Sequence, residues 1–202
     1  MKISYDKKKQ ILELARNSGI VSTADVQSLG IHHEYLRQLC TEGKLERVGR
    51  GLYVLPDADV TAHHGLVQAS KAVPKGVICL LSALRFHEIG TQVPHEVWIA
   101  IDRRAARPRI IYPKMHIVRF SAKALIEGID EHNIEGILVK IYNPAKTVSD
   151  CFKYRNKIGL DVALEALREV IRRRKCKIEE LWEYAKICRV TKVMRPYMEA
   201  IV

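Results

Sequence analysis

The sequence predicts an α+β chain: a small helical head closed by a β-hairpin, then a mixed α/β domain with a helical C-terminal end. Three observations predict it. Apolar residues recur at helical spacing through residues 6–42, and glycines mark where each run stops. A glycine-bearing turn joins two β-prone runs at 45–55. Short β-branched runs then alternate with capped helical segments, and amphipathic helices fill the remainder.

In the head, DKKKQILELARNSG sets Ile11, Leu12, Leu14 and Ala15 on one side and closes with Gly19, the pattern of an amphipathic helix. Ser22 and Thr23 are good N-caps for a short second helix, ADVQSL, ended by Gly30. Val26 and Leu29, three apart, are expected to share its buried face. Residues 32–42 predict a third helix, stopped by Gly43, with Leu36, Leu39 and Cys40 as the inner stripe. Glu34, Arg37, Gln38 and Thr41 then fall outward, and His33 and Tyr35 lie on the flanks. Arg and Gln can pair bidentately with base edges in a major groove. Residues 45–48 and 52–55 predict a hairpin around Gly49-Arg50, with Gly49 first in a type II′ turn and Gly51 permitting a close backbone approach. Helix, turn, helix and then a hairpin is the order of a winged helix-turn-helix. Arg50 at the tip and Lys44 and Arg47 at the base would meet phosphates. The candidate DNA-binding set is therefore Ser22, Thr23, His33, Tyr35, Arg37, Gln38, Thr41, Lys44, Arg47 and Arg50.

A polar linker follows at 56–59, so the expected domains are 1–56 and 57–202. Thr61 is expected to cap a helix that ends before Pro74. His63 and His64 are adjacent, and their roughly 100° divergence on a helix makes them a poor ligand pair. VICLL (77–81), VWIAI (97–101), HIVRF (116–120) and ILVKIY (137–142) predict strands, and Ser82 is expected to cap the helix after the first. Asn143 caps the next helix with Pro144 at its first position. Lys146 and Asp150, four apart, are expected to pair on its surface. Helices over 160–173, 178–187 and 191–202 complete the chain, the last with a break expected near Arg195 because of Pro196.

Composition bounds the function. The chain has 202 residues, 48% of them hydrophobic, which excludes an intrinsically disordered protein. No apolar run approaches the roughly 20 residues of a membrane span, and no signal core follows the basic start, so a cytoplasmic protein without a membrane partner is expected. Five cysteines with no CxxC pair argue against a disulfide framework or a zinc finger. The net charge of +11 is uneven: residues 100–202 carry 22 basic against 13 acidic side chains. Arg103, Arg104, Arg107 and Arg109 form one basic cluster; Arg172, Arg173 and Arg174 form another. Such a balance suits a polyanionic partner.

The whole chain resembles the AbiE-type (AbiEi) antitoxins of abortive-infection, type IV toxin–antitoxin systems. In the head the resemblance rests on Gly30-Ile31, Leu36, Leu39, Gly43, Arg47-Val48 and Arg50-Gly51-Leu52-Tyr53. Further on it rests on Ser82-Ala83-Leu84, Val97-Trp98-Ile99-Ala100, the stretch YNPAKTVSD (142–150) and Gly159-Leu160-Asp161. The shared order of these motifs, each weak alone, makes the match specific. It implies a transcriptional autorepressor that binds promoter repeats as a monomer or weak dimer, cooperatively on DNA. It further implies a C-terminal antitoxin domain and a nucleotidyltransferase-like toxin as functional partner, with or without a stable complex. No catalytic residue, metal ligand or cofactor carries over.

The competing reading is a nucleic-acid-processing enzyme, a nuclease or nucleotidyltransferase with a winged-helix anchor. The sequence lacks a Walker loop, HExxH, and a Gly-Ser followed by paired aspartates. Neither Asp102 nor Glu135 sits in a carboxylate cluster fit for two metals. Metal-dependent cleavage abolished by Asp150→Ala would favour the enzyme.

Overall fold

The computed structural model describes residues 2–56, 63–108, 113–121 and 123–201. The chain forms two compact units. The first comprises Met1–Pro74 with Pro108–Met115 and His132–Val139; the second comprises Lys75–Arg107, His116–Glu131 and Lys140–Val202.

In the first unit the order is α1 (Lys2–Ser18), β1 (Ile20–Ser22), α2 (Thr23–Ser28), α3 (Glu34–Thr41), β2 (Glu46–Gly49), β3 (Leu52–Val54) and α4 (His64–Ala72). Strand β3 lies between β1 and β2, antiparallel to both. The apolar stripes converge on one core of Ile11, Ala15, Val21, Val26, Ile31, Leu36, Leu39 and Leu45. Ser22 caps α2 in a capping box: its hydroxyl accepts from the Asp25 N–H at 3.1 Å, and Asp25 accepts from the Ser22 N–H at 2.8 Å. Lys71 of α4 donates to the Asp25 carboxylate at 2.9 Å. Burial raises the Asp25 pKa, but the Lys71 and Ser22 hydrogen bonds outweigh it and hold the carboxyl below its ordinary value. His64 Nδ1 lies 2.8 Å from Glu135 of the His132–Val139 segment.

From Lys75 onward the order is β4 (Val77–Ile78), α5 (Leu80–Phe86), β5 (Val97–Asp102), β6 (Met115–Phe120), α6 (Lys123–Ile126), β7 (Ile129–Ile134), β8 (Ile137–Tyr142), α7 (Pro144–Lys153), α8 (Arg155–Ile158), α9 (Leu160–Arg172), α10 (Ile178–Ile187) and α11 (Thr191–Ile201), all in the second unit but for the parts of β6, β7 and β8 that fall in the two later segments of the first. The sheet order is β6-β5-β4-β8-β7, with β4 antiparallel to β5 and parallel to β8. The tip of the β7–β8 hairpin is the His132–Val139 segment that groups with the first unit. Helix α7 packs against α5, α9 and α10; Val162, Ala163, Ala166, Leu167 and Val170 of α9 are buried and Ile171 is half-buried. Asn143 caps α7, accepting from the Lys146 N–H at 2.8 Å, with Pro144 at the first helical position.

Several expectations are corrected. The loop of the first hairpin is Arg50-Gly51, and the positive φ (+73°) is at Gly51, so no type II′ turn starts at Gly49. A bulge between Arg47 and Gly49 shifts the register by one, which a sequence with glycines at both 49 and 51 does not disclose. Gly51 does allow the close approach: a Cβ there would stand 2.8 Å from Thr23 Oγ1. Leu29 is 52% exposed, because α2 ends before it. VICLL is strand only at Val77–Ile78; Leu80 opens α5, and a short apolar run does not by itself separate strand from buried helix. Ser82 is inside α5, where its hydroxyl accepts from the Trp98 N–H at 2.9 Å. Strand β7, unpredicted, is mostly polar and turns through Glu135 and Gly136 with φ of +52° and +76°. Helix α11 continues through Pro196. That proline is exposed, so the carbonyl it leaves unbonded can face water while Met194 and Met198 anchor the inner side. Thr61 lies outside the described residues.

Candidate nucleic-acid interface

Helix α3 is amphipathic because Leu36 and Leu39, three apart, take its inner side; both are fully buried. Arg37 and Thr41 consequently face solvent, and Gln38 is half-buried. Glu34, Arg37, Gln38 and Thr41 line one shallow groove of about 370 Å³ together with Lys8 of α1 and Glu42. Thr41 donates its hydroxyl to the Arg37 carbonyl at 3.1 Å. Glu42 is bracketed by Lys44 at 2.9 Å and by Lys8, and the two ammonium groups hold its carboxyl down at about 2. The groove thus holds one guanidinium, one amide and two carboxylates, of which Glu42 is matched by lysines.

Other predicted residues stand as follows. His33 is exposed and its ring is 4.3 Å from that of His32. Tyr35 is half-buried with Lys7 5.9 Å from its ring centroid. Arg50 is exposed in the hairpin loop, and Arg47 donates from Nε to the Gly49 carbonyl at 3.1 Å, bracing the turn. The Ser22 hydroxyl caps α2, and Thr23 donates to the Gly51 carbonyl at 3.4 Å while its N–H donates to the same carbonyl at 2.9 Å. Sequence reasoning did not select Lys7 and Lys8; the signal was the triple lysine immediately before the apolar stripe of α1.

In the second unit, Arg103, Arg104 and Arg107 are exposed, whereas Arg109 lies outside the described residues. Arg172 and Arg174 are exposed; Arg173 pairs with Glu169 at 2.8 Å and donates to the Glu88 carbonyl. Lys146 and Asp150 do form an ion pair, but not on the surface: both side chains are 0% exposed. Lys146 Nζ stands 4.1 Å from the Tyr142 ring centroid and 4.7 Å from that of Phe120, and Cys188 donates its S–H to Asp150 Oδ1 at 3.1 Å. Burial pushes the Asp150 carboxyl up, against the pull of Lys146. Its helical spacing was legible, but an ion pair at that spacing reads as a solvated face. Among the described residues no three His, Cys, Asp or Glu side chains are grouped to hold a metal ion. No described helix is long and apolar enough to cross a membrane.

Residues 9–56 match the family model described as transcriptional regulator, AbiEi antitoxin. The RV2827C protein of Mycobacterium tuberculosis is similar in fold at 12% identity, with 97% of this chain and 80% of that chain covered and a TM-score of 0.61. No curated protein matches the sequence.

Proposed function

We propose, taking the regulator match of residues 9–56 as premise, that this protein is a type IV antitoxin and autorepressor of its own operon. Residues 1–56 bind promoter repeats as a winged helix-turn-helix, and residues 57–202 carry the antitoxin function. The observation that supports this most is α3: within the matched segment it turns Arg37, Gln38 and Thr41 away from a leucine seam, and a hairpin with Arg50 in its loop follows. In this reading Arg37 and Gln38 read base edges, while Lys44, Arg47 and Arg50 hold phosphates. The partner is a nucleotidyltransferase-like toxin, and the basic cluster around Arg103, Arg104 and Arg107 faces it or its RNA.

The test is promoter binding by the full chain across a salt series. With about five phosphates neutralised, log K falls with log[salt] at a slope of about −4 to −5. Arg50→Ala weakens all sequences alike, whereas Gln38→Ala costs about 1–3 kcal/mol at particular base pairs. A flat salt response, or uniform loss in both variants, overturns the assignment. No observation favours the enzymatic alternative, whose best carboxylate, Asp150, is sealed on Lys146.

A further inference from the structure

The second unit holds a cleft of about 790 Å³ in which six cationic side chains meet: Arg103, Lys123, Lys153, Arg155, Lys186 and Arg189. They come from separate places in the chain: the end of β5, the start of α6, the last turn of α7, α8, the last turn of α10 and the α10–α11 turn. Among the described residues no Asp or Glu lines the cleft. Among the described residues none of the six is ion-paired with a carboxylate. Two have uncharged partners: Arg155 donates to the Phe152 carbonyl at 2.9 Å, and Lys153 lies 5.5 Å from the Phe120 ring centroid. Like charges gathered in a concavity repel one another, and the field they focus favours a bound anion. Lys153, Arg155 and Lys186 fall in the last turns of α7, α8 and α10 and complement helix C-termini, but that account does not reach Arg103, which follows β5, or Lys123, which opens α6.

The remainder of the lining narrows the ligand. Ala124, Ile187, Val190 and Val193 give an apolar wall. The volume lies within the roughly 300–1,000 Å³ of small-molecule sites, much more than a lone phosphate fills. A duplex lies over a surface rather than inside a cleft of this size. Arginine forks bind phosphate oxygens bidentately and lysines add point charges, so a chain of phosphates engages more of the set than one phosphate does. We propose that this cleft binds a nucleoside polyphosphate, the phosphates among the six cations and the nucleoside against the apolar wall. The cleft shares no residue with the proposed DNA-reading set of the first unit.

Calorimetric titration of the full chain with ATP, GTP, AMP and inorganic tripolyphosphate tests it. A nucleoside triphosphate should bind at least tenfold more tightly than AMP and than tripolyphosphate. Arg189→Gly removes a guanidinium where the backbone already has φ +61°, so the turn is kept and the fold tolerates the change. That variant, and Lys153→Glu, should weaken triphosphate binding at least tenfold with an unchanged melting temperature. Arg37→Ala should leave it unaltered, which separates failure here from failure of the DNA reading. Absence of binding at millimolar triphosphate, binding unchanged in both cleft variants, or tripolyphosphate binding as tightly as ATP overturns the proposal. So does loss of promoter affinity in the cleft variants with no nucleotide bound.

Discussion

Asp150 and Lys146 both have zero side-chain exposure and pair with each other, and Cys188 donates a further hydrogen bond to Asp150. Removing one partner alone strands the other: Asp150→Ala should cost about 3–5 kcal/mol in chemical denaturation. Replacing both with apolar residues, Lys146→Met with Asp150→Leu, should recover most of that loss. Recovery in the double variant, without any nucleic-acid phenotype, would mark the pair as packing rather than chemistry. Asp25 makes a different residue-level prediction. Its folded pKa lies below the ordinary 3.8, so its contribution to stability is complete above the unfolded value and disappears as pH falls through the folded one. Asp25→Asn keeps a capping oxygen and abolishes the titration. It should give a shallower acid-side decline in melting temperature below about pH 4.

At the scale of elements, the head's helices were legible because Leu36 and Leu39 follow helical spacing and glycines stop each run. The hairpin existed as expected, but its turn was misplaced by one residue, since alternating glycines allow two loops and only the bulge chooses between them. Gly51→Ala tests the observed choice. It forces a Cβ onto φ +73° and against Thr23 Oγ1, and should destabilise by about 1–2 kcal/mol in thermal unfolding. Adding Thr23→Ala should relieve the contact but not the backbone strain, for partial recovery. Strand β7 escaped notice because Asp130, Glu131 and Asn133 are exposed, leaving Ile129 and Ile134 as its main apolar signals. Helix α11 was expected to break because proline was weighed without its exposure, which is a tertiary property.

At the scale of the molecule, linear charge runs were a poor guide to where cations meet. Arg173 and Lys175 of the basic run are tied to Glu169 and to the carbonyls of Glu88 and His87. Of the cationic residues singled out from the sequence, Arg103 alone lines the cleft; its companions are a lone Lys123 and the pairs Lys153/Arg155 and Lys186/Arg189, which no single window of sequence collects. Arg37, Gln38 and Thr41, by contrast, share one short helix, and helical geometry suffices to group them along one groove.

The division into units carries a practical consequence. The first unit borrows His132–Val139 from far along the chain, and Glu135 in that borrowed piece meets His64. A fragment ending at Pro74 would lose that clasp and should melt at lower temperature than the same unit in the intact chain, as circular dichroism can measure. The first unit is therefore not a cassette. Recombination that exchanged it between relatives at a single breakpoint would leave it without its late-arriving thread, so the gene is expected to evolve as one linked block.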